Sequence, residues 1–464
     1  MLKTERENMV FFIGVDDTDS VHGMCTTFLI TEIIRELGFP VLFGYPKLVR
    51  LNPNIPWKTR GNGALALGIG GDPSTSFRIG ELSGSPVYMS LNKSKENTDI
   101  EPIKRRVYSV VNTLSQLDDE NTNPGLVISQ KEIDSTLYWK AVRGLVEKDE
   151  ALGYAKSVNA AIFEWNNGRG IIGAASALAW KAHRATYEIL SYRKEELIGT
   201  KREVNDGDVA KLSNLFPTTF NNYDEETRHS CIYPASPCPV LFGIRGTDPS
   251  VLPSAMNAVR SETRDRWIIF ETNQGTDDHI ETLSGAPSLF HSYLITGQVT
   301  TRPAVVEGGH VFFGITTGNG ITIDCAVFEE TKNLRTCVRK LYPGDRVSVW
   351  GAFKPNAHDV GTGILNLEKL ALIAVAPRFI KKGNPVCESC GRKMESAGKG
   401  KGYRCRKCGT KARFPQTALA ESELKEGVYS ATASSRRHLS MPVELMEKEY
   451  LTAVGKEATH WQQK

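Results

Sequence analysis

The 464-residue sequence contains no run approaching the ~20 consecutive apolar residues that a membrane helix requires. It also lacks the opening of a secreted protein. Met1 to Val10 carries Lys3, Glu5, Arg6 and Glu7 ahead of a short apolar strand, with no apolar stretch of signal length and no cleavage site. A cytoplasmic location without membrane contact is therefore expected. No internal repeat is present. A disulfide framework is missing too: of nine cysteines, Cys25, Cys231, Cys238, Cys325 and Cys337 are scattered and odd in number, while the other four form two Cys-x-x-Cys pairs. That distribution fits metal binding plus unpaired thiols in a reducing compartment.

Net charge is small overall, at +4, but not locally. Arg378 to Arg413 holds twelve Lys and Arg against two Glu, a local balance of +10 that leaves −6 for the rest of the chain. One strongly basic segment on an otherwise acidic protein points to an anionic partner held at one place, and nucleic acid is the commonest such partner.

A chain of this length predicts about three domains, and its periodicities predict an α+β multidomain protein. Residues 1–130 read as an α/β unit. Val10 to Val15 is a strand ending at Asp16-Asp17; Leu29, Ile30, Ile33, Ile34 and Leu37 recur at helical spacing before Gly38. Strand-like segments follow near Val41 to Leu51 and Ala64 to Ile69, then a helix carrying Ile103, Val107, Val110, Val111, Leu114 and Leu117. Residues 131–289 read as a second α/β region, with helices over Tyr138 to Val146 and Ala174 to Tyr192 and strands over Asn159 to Trp165 and Trp267 to Phe270. Residues 290–376 change character: three strand-like runs, a short helix over Glu330 to Leu341, then two more strands, which is the element order of an OB-fold barrel. Residues 377–415 hold the paired cysteines, and 416–464 form a polar tail expected to be partly helical, with the basic cluster Ser434 to Leu439.

Cys387, Cys390, Cys405 and Cys408 are the strongest local signal. Cys-x-x-Cys lets two thiolates reach one metal from a tight turn, and two such turns can close a tetrahedron around zinc at about 2.3 Å per bond. Four sulfurs leave no open position, so the zinc would be structural. Lys399, Lys401, Arg404, Arg406 and Lys407 give this ribbon a basic surface for nucleic acid.

Asp16, Asp17 and Asp19 sit where a strand ends, and Thr26 and Thr27 where the next helix begins. Carboxylates at a strand end can hold Mg²⁺ bridging to phosphates, and a helix N-terminus offers free N–H groups to anions. Ordinary turn and cap formation by Asp, Ser and Thr is the plainer account of the same residues. Lys58-Thr59-Arg60-Gly61-Asn62-Gly63 places two cations and a hydroxyl before a Gly-x-Gly turn that can approach a phosphate; it is not a Walker loop, and a hairpin turn explains it equally well. Gly168-Arg169-Gly170-Ile171-Ile172-Gly173 is a glycine loop entering a helix, which suits an anion, though a simple strand-to-helix turn is the plainer account. Asn273-Gln274-Gly275-Thr276-Asp277-Asp278-His279 brings carboxylates that suit a cationic amine, or a turn that satisfies its own backbone. His438, beside Arg436 and Arg437, reads as a phosphate contact or a surface histidine.

Taken in order, Val15 to Ser20, Gly23 to Thr27, Arg50 to Pro56, Lys58 to Gly63, Thr122 to Gly125, Gly168 to Gly173, Thr272 to Asp277, the cysteine pairs and Arg436 to Leu439 resemble the archaeal tRNA-Ile 2-agmatinylcytidine synthetase family. The resemblance runs from about residue 10 to about residue 445. It implies a kinase-like catalytic domain, a ferredoxin-like domain, an OB-fold and a zinc ribbon. It also implies the reaction: ATP activates the base carbonyl of the wobble cytidine in the CAU anticodon of tRNA-Ile, and agmatine is joined at that carbon, so that AUA is decoded. On this resemblance Asp16, Asp17 and Asp19 would hold Mg²⁺, Lys58 to Gly63 would bind ATP phosphates, and Thr26 or Thr27 would match the family's self-phosphorylated threonine. Arg436 and Arg437 would join the ribbon cations on tRNA, and Asp277 and Asp278 would face the dicationic agmatine. The segment His183-Arg184-Ala185 is more basic than the Asp-His-Thr pattern expected at that place. Two alternatives remain at this point, a non-catalytic single-stranded nucleic-acid-binding protein and a small-molecule kinase or ligase. ATP hydrolysis separates out the first, and salt-sensitive tRNA binding the second.

Overall fold

The computed structural model describes residues 10–57, 61–96, 99–356 and 362–446. The chain begins with the strand Phe11–Asp16, whose alternation sets two cores at once. Phe11, Ile13 and Val15 face the helices Thr26–Glu36 and Ile100–Leu114, whereas Phe12 faces the helices Thr136–Arg143 and Gly170–Ala179. A strand buried on both faces needs this double set of apolar partners. It lies between Gly63–Ile69 and Gly125–Ser129, antiparallel to both.

These strands belong to a 12-stranded sheet that continues without a break into the second region. Lys47–Arg50 closes part of it on itself, pairing antiparallel with Gly63–Ala66 and parallel with Glu271–Thr272. Going round through Phe77–Leu82, Ser85–Ser90 and Leu42–Phe43 completes a ring of strands. The far side is Thr186–Arg193 between Val240–Gly246 and Arg264–Thr272, packed by Val209, Leu212, Leu252 and Met256 from short helices.

Here the structure corrects the helix expected over Ala174 to Tyr192. The helix stops at Ala179, Trp180 turns extended, and Thr186–Arg193 is a central strand. Seven of its eight residues are buried, so the alternation that marks a half-exposed strand is missing and the apolar run mimics a helix.

The strands between Ser292 and Ala374 form a closed five-stranded barrel. Ser292–Val299, Val311–Thr317, Thr322–Val327, Arg346–Pro355 and Gly363–Ala374 pair in a ring, with the helix Asn333–Val338 between the third and fourth strands, in the order expected. Asp345, fully buried, then accepts from Arg378 Nη2 at 2.9 Å and from the Ala376 N–H at 2.8 Å, anchoring the exit from the barrel. Arg378–Gly383 and Gln416–Ala420 make a two-stranded stem that carries the cysteine segment, itself a small three-stranded sheet.

Among the described residues beyond 415 there is no α-helix: Gly427–Ser430 adds a strand to the barrel, and the chain then runs back across the first sheet to about residue 446. The polar residues up to that point serve a junction, and the remainder of the expected partly helical tail, 447–464, lies outside the described residues. Among the described residues no helix is long and apolar enough to cross a membrane.

Candidate active site and zinc-ligand cluster

A cavity of about 430 Å³ opens where the first and second regions meet. Two helix N-termini border it, that of Thr26–Glu36 through Cys25, Thr26 and Thr27, and that of Gly170–Ala179 through Arg169, Gly170 and Gly173. Neither helix has a side-chain cap or an acidic residue in its first turn. At the second the Gly170, Ile171 and Ile172 N–H groups already donate to the carbonyls of Asn123, Gly168 and Arg169 at 2.9 to 3.1 Å, so the first, Thr26–Glu36, is the terminus suited to another acceptor.

Asp16, Asp17 and Asp19 line the same cavity. Asp16 ends its strand with its carboxylate accepting from the Asp17 N–H at 2.8 Å. Burial, together with the neighbouring Asp17 charge, pushes its pKa up to about 8. Asp17 adopts φ +58° and accepts from the Asn123 N–H at 3.2 Å, with Arg169 Nη2 at 3.4 Å. Thr122 holds the Asp19 carbonyl through its hydroxyl at 2.8 Å, and Thr18 donates to Thr26 Oγ1 at 3.1 Å. Thr27 Oγ1 lies 3.0 Å from Cys25 Sγ. The structure thus brings both threonines and all three aspartates to one cavity.

Gly61, Asn62 and Gly63 line it as well. Arg50, half-buried, donates to the Gly61 carbonyl at 3.3 Å, and Asn62 donates to the Asn52 carbonyl at 2.9 Å. Lys58, Thr59 and Arg60 lie outside the described residues. Arg50 and Arg169 fall within motifs that the sequence singles out, without an assigned role, but nothing in the sequence marks Glu188, Arg245 or the wall running from Cys231 to Val240 as part of the site. Their spacing in the chain carries no common pattern, and only the sheet gathers them.

Asp277 and Asp278 are not in this cavity. Asp277 is paired with the buried Lys369 of the barrel and accepts from the Met441 N–H at 2.7 Å. Asp278 accepts from the Tyr138 hydroxyl at 2.6 Å. The rest of the motif is equally committed. Asn273 exchanges two bonds with the Arg50 backbone, Gln274 donates to Glu188 at 2.6 Å, and His279 meets Glu368 at 3.1 Å. The segment ties the first sheet to the barrel.

The expected basic surface at Arg436 and Arg437 also resolves into this junction. Arg436 is largely buried and donates to Asn221, Ser430 and the Ala431 carbonyl. Arg437 donates to Asn54 at 2.6 Å and pairs with Glu368 at 3.3 Å. His438 follows at the edge of the cavity, close enough that a Cβ on Gly61 would sit 3.4 Å from its Nε2.

Across the molecule, Cys387, Cys390, Cys405 and Cys408 converge with their sulfurs within 4.8 Å of one another. Sγ–Sγ separations of 3.3, 3.4 and 3.7 Å approach the ~3.8 Å edge of a tetrahedron with 2.3 Å Zn–S bonds. The donor set fits a structural zinc. Lys399, Lys401, Arg404, Arg406 and Lys407 are all exposed around it, Arg406 beside Glu395 at 2.5 Å. Chelation of the metal should therefore unfold this segment alone. Heating the chelated protein is expected to leave the main transition in place while amide protection over 385–412 disappears, a contrast that hydrogen exchange resolves.

An α+β chain with a β-barrel, a four-cysteine zinc ribbon and an acidic cavity at two helix N-termini is the class that this geometry defines. The family models matching it are the TiaS TCKD domain over residues 12–167, the TiaS FLD domain over 168–279 and the TiaS C-terminal zinc ribbon domain over 384–421. A tRNA-Ile 2-agmatinylcytidine synthetase TiaS from Archaeoglobus fulgidus is 39% identical over 95% of this chain and 99% of its own length. A crystal structure of TiaS in complex with its isoleucine tRNA and ATP superposes with a TM-score of 0.81 at 37% identity, over 95% of this chain and 98% of that one. A complex of TiaS with the same tRNA, AMPCPP and agmatine does so at 0.79 and 34%, with the same coverage. The chain belongs to the TiaS family of tRNA-Ile 2-agmatinylcytidine synthetases.

Proposed function

We propose that this protein uses ATP to join agmatine to C2 of the wobble cytidine in the CAU anticodon of tRNA-Ile, through phosphate activation of the base carbonyl. The observation that carries this is the single cavity holding three aspartates, two threonines and two helix N-termini, in a chain whose family members are named for the reaction. A carbonyl oxygen leaves poorly and a phosphate leaves well, so the energy of ATP is best spent on that oxygen before the amine displaces it.

Asp16, Asp17 and Asp19 would hold Mg²⁺, which offsets phosphate charge when bound. Thr26 or Thr27 would accept a phosphoryl group beside the helix N-terminus. Lys58 to Gly63 would border the phosphates, as the position of Gly61 to Gly63 supports. The exposed ribbon cations would take the RNA backbone. We further assign a kinase-like catalytic module to residues 1–130, a ferredoxin-like module to 131–289, an OB-fold to 290–376, the zinc ribbon to 377–415 and a tail to 416–464, in a cytoplasmic protein. Agmatine recognition by Asp277 and Asp278 would require the junction to open, because both carboxylates already have partners.

Nucleoside mass spectrometry of CAU-anticodon tRNA-Ile incubated with protein, ATP, Mg²⁺ and agmatine tests the assignment. An agmatine-sized mass increase on cytidine that disappears when any component is omitted is expected. Intact tRNA binding with no adduct would overturn it in favour of a binding protein.

The acidic end predicts a pH dependence. Asp16 holds its proton up to about pH 8 in the folded chain, against an ordinary aspartate value of 3.8. This protonated form favours folding at low pH, and the contribution fades as pH rises through about 8. A divalent cation must displace that proton, so affinity for Mg²⁺ should climb by up to about tenfold per pH unit below that point and level off above it. Titration calorimetry in buffers of differing ionisation enthalpy should show about one proton released. Asp16→Asn should abolish the release.

A further inference from the structure

One wall of the cavity is an irregular segment, Cys231 to Val240, containing Pro234, Pro237 and Pro239. Prolines give it few N–H donors, so most of its carbonyls need partners from elsewhere. The Gly243 N–H reaches the Ile232 carbonyl at 2.7 Å and the Arg193 N–H the Pro239 carbonyl at 2.9 Å, and a single guanidinium serves four more. Arg202 donates from Nε to the Val240 carbonyl at 2.9 Å, from Nη1 to Pro234 at 2.8 Å, and from Nη2 to Ser236 at 2.8 Å and Cys238 at 3.0 Å.

Arg202 is itself placed by a second guanidinium. Arg193 is almost wholly buried, pairs with Glu262 at 2.7 Å, and donates to the carbonyls of Thr200 at 2.8 Å and Lys201 at 3.2 Å, immediately before Arg202. No lining atom of the cavity comes from Arg202, so whatever it does there it does through the wall.

The wall itself presents Ile232, Tyr233, Pro234 and Val240, with Glu188 and Arg245 paired at 3.2 Å beside them. It holds no group suited to a triphosphate apart from that neutralised pair, whereas the helix N-termini and the aspartates belong to other elements of the cavity lining. An apolar face edged by one acceptor and one donor fits a planar nucleobase.

We propose that Arg202 is a positioning residue that holds the Cys231–Val240 wall in shape to receive a nucleobase of the RNA substrate. The proposal rests on the RNA-modifying function assigned above. Arg202→Lys keeps the charge but offers one donor centre instead of a planar fork, so it cannot reach four carbonyls at once.

Steady-state kinetics of full-length wild type, Arg202→Lys and Arg202→Ala, varying RNA, ATP and agmatine in turn, tests this. KM for the RNA is expected to rise about tenfold in Arg202→Lys and further in Arg202→Ala, while KM for ATP and for agmatine stay within twofold and kcat changes little. Added ethylguanidinium should restore part of the loss in Arg202→Ala only. Unchanged kinetics in both variants would overturn the proposal, as would a rise confined to KM for ATP, which would assign the wall to adenine, or to KM for agmatine. If Arg202→Ala fails to fold, Arg202→Lys alone decides among these outcomes. Absence of any RNA-dependent turnover in wild type would instead count against the assigned function, which separates the two failures.

Discussion

Gly173→Ala is expected to lower the activity by about a hundredfold or more while leaving the protein folded, on the scale of displaced catalytic groups. A Cβ at Gly173 would lie 1.8 Å from Asp16 Oδ2 and 2.6 Å from its Cγ. The glycine is what allows the helix Gly170–Ala179 to run past the end of the strand Phe11–Asp16 with the carboxylate against its first turns. Gly125, on the neighbouring strand, permits a similar approach, for a Cβ there would meet the Ile171 nitrogen at 2.1 Å. Alanine at 173 must push either the helix or the carboxylate away, and the end of the strand is the side with room, because it faces the cavity. Asp16 would then leave its place beside Asp17 and Asp19. Helix propensity alone predicts the opposite sign, a gain of up to ~1 kcal/mol for alanine over glycine. Gly153→Ala, in the exposed helix Lys148–Ser157 with nothing within 4 Å of its Cβ, isolates that gain as a control. Parallel assays of turnover and thermal unfolding for the two variants would separate the effects. Full activity in Gly173→Ala would mean that the aspartate's present position does not matter to the reaction.

Much of this architecture is legible in the amino-acid sequence, and the features that are not share a cause. The barrel declares itself because its strands pack on one side of a small core, so that Val347, Val349, Leu365 and Leu367 alternate in the chain. The acidic cluster and the cysteine pairs are legible because each chemistry sits within a few residues. The strand Thr186–Arg193 is not, being buried on both faces. The hairpin Phe77–Leu82 and Ser85–Ser90 carries exposed Phe77 and Tyr88 and a turn at Ser83 and Gly84 with positive φ, and it shows little apolar periodicity. Asp277, Arg436 and Arg437 look like a ligand site and a basic surface because charged residues are normally exposed. Their partners are far away in the chain: Lys369 for Asp277, Asn221 for Arg436, Asn54 and Glu368 for Arg437. Burial of a charge depends on such a partner, and a local motif does not contain it.

Lys369→Met should produce the largest loss of stability, about 3–5 kcal/mol, the range found when one partner of a buried ion pair is removed. Lys369 is fully buried on the barrel strand Gly363–Ala374, with its ammonium 2.6 Å from Asp277 Oδ1, 3.2 Å from the Met441 carbonyl and 5.9 Å from the Trp350 ring. Methionine fills the same length and leaves the Asp277 carboxylate with the Met441 N–H but without the ammonium bonded to it. The cost should fall on one place. The Asp277 N–H donates to the Leu439 carbonyl at 2.9 Å and the Gly275 N–H to the His438 carbonyl at 2.8 Å, so the segment that brings His438 to the cavity is held by the loop that Lys369 neutralises. Hydrogen exchange is accordingly expected to rise first at residues 275–279 and 438–441, ahead of the barrel core. Asp277→Asn alone should also destabilise, by stranding the ammonium. The double variant Lys369→Met/Asp277→Asn should recover most of the loss, because two neutral side chains of similar shape leave no buried charge. If the single and double variants are equally unstable, the lysine contributes by packing on Trp350 rather than by pairing, and the coupling of barrel to cavity must run through His279 and Glu368 instead.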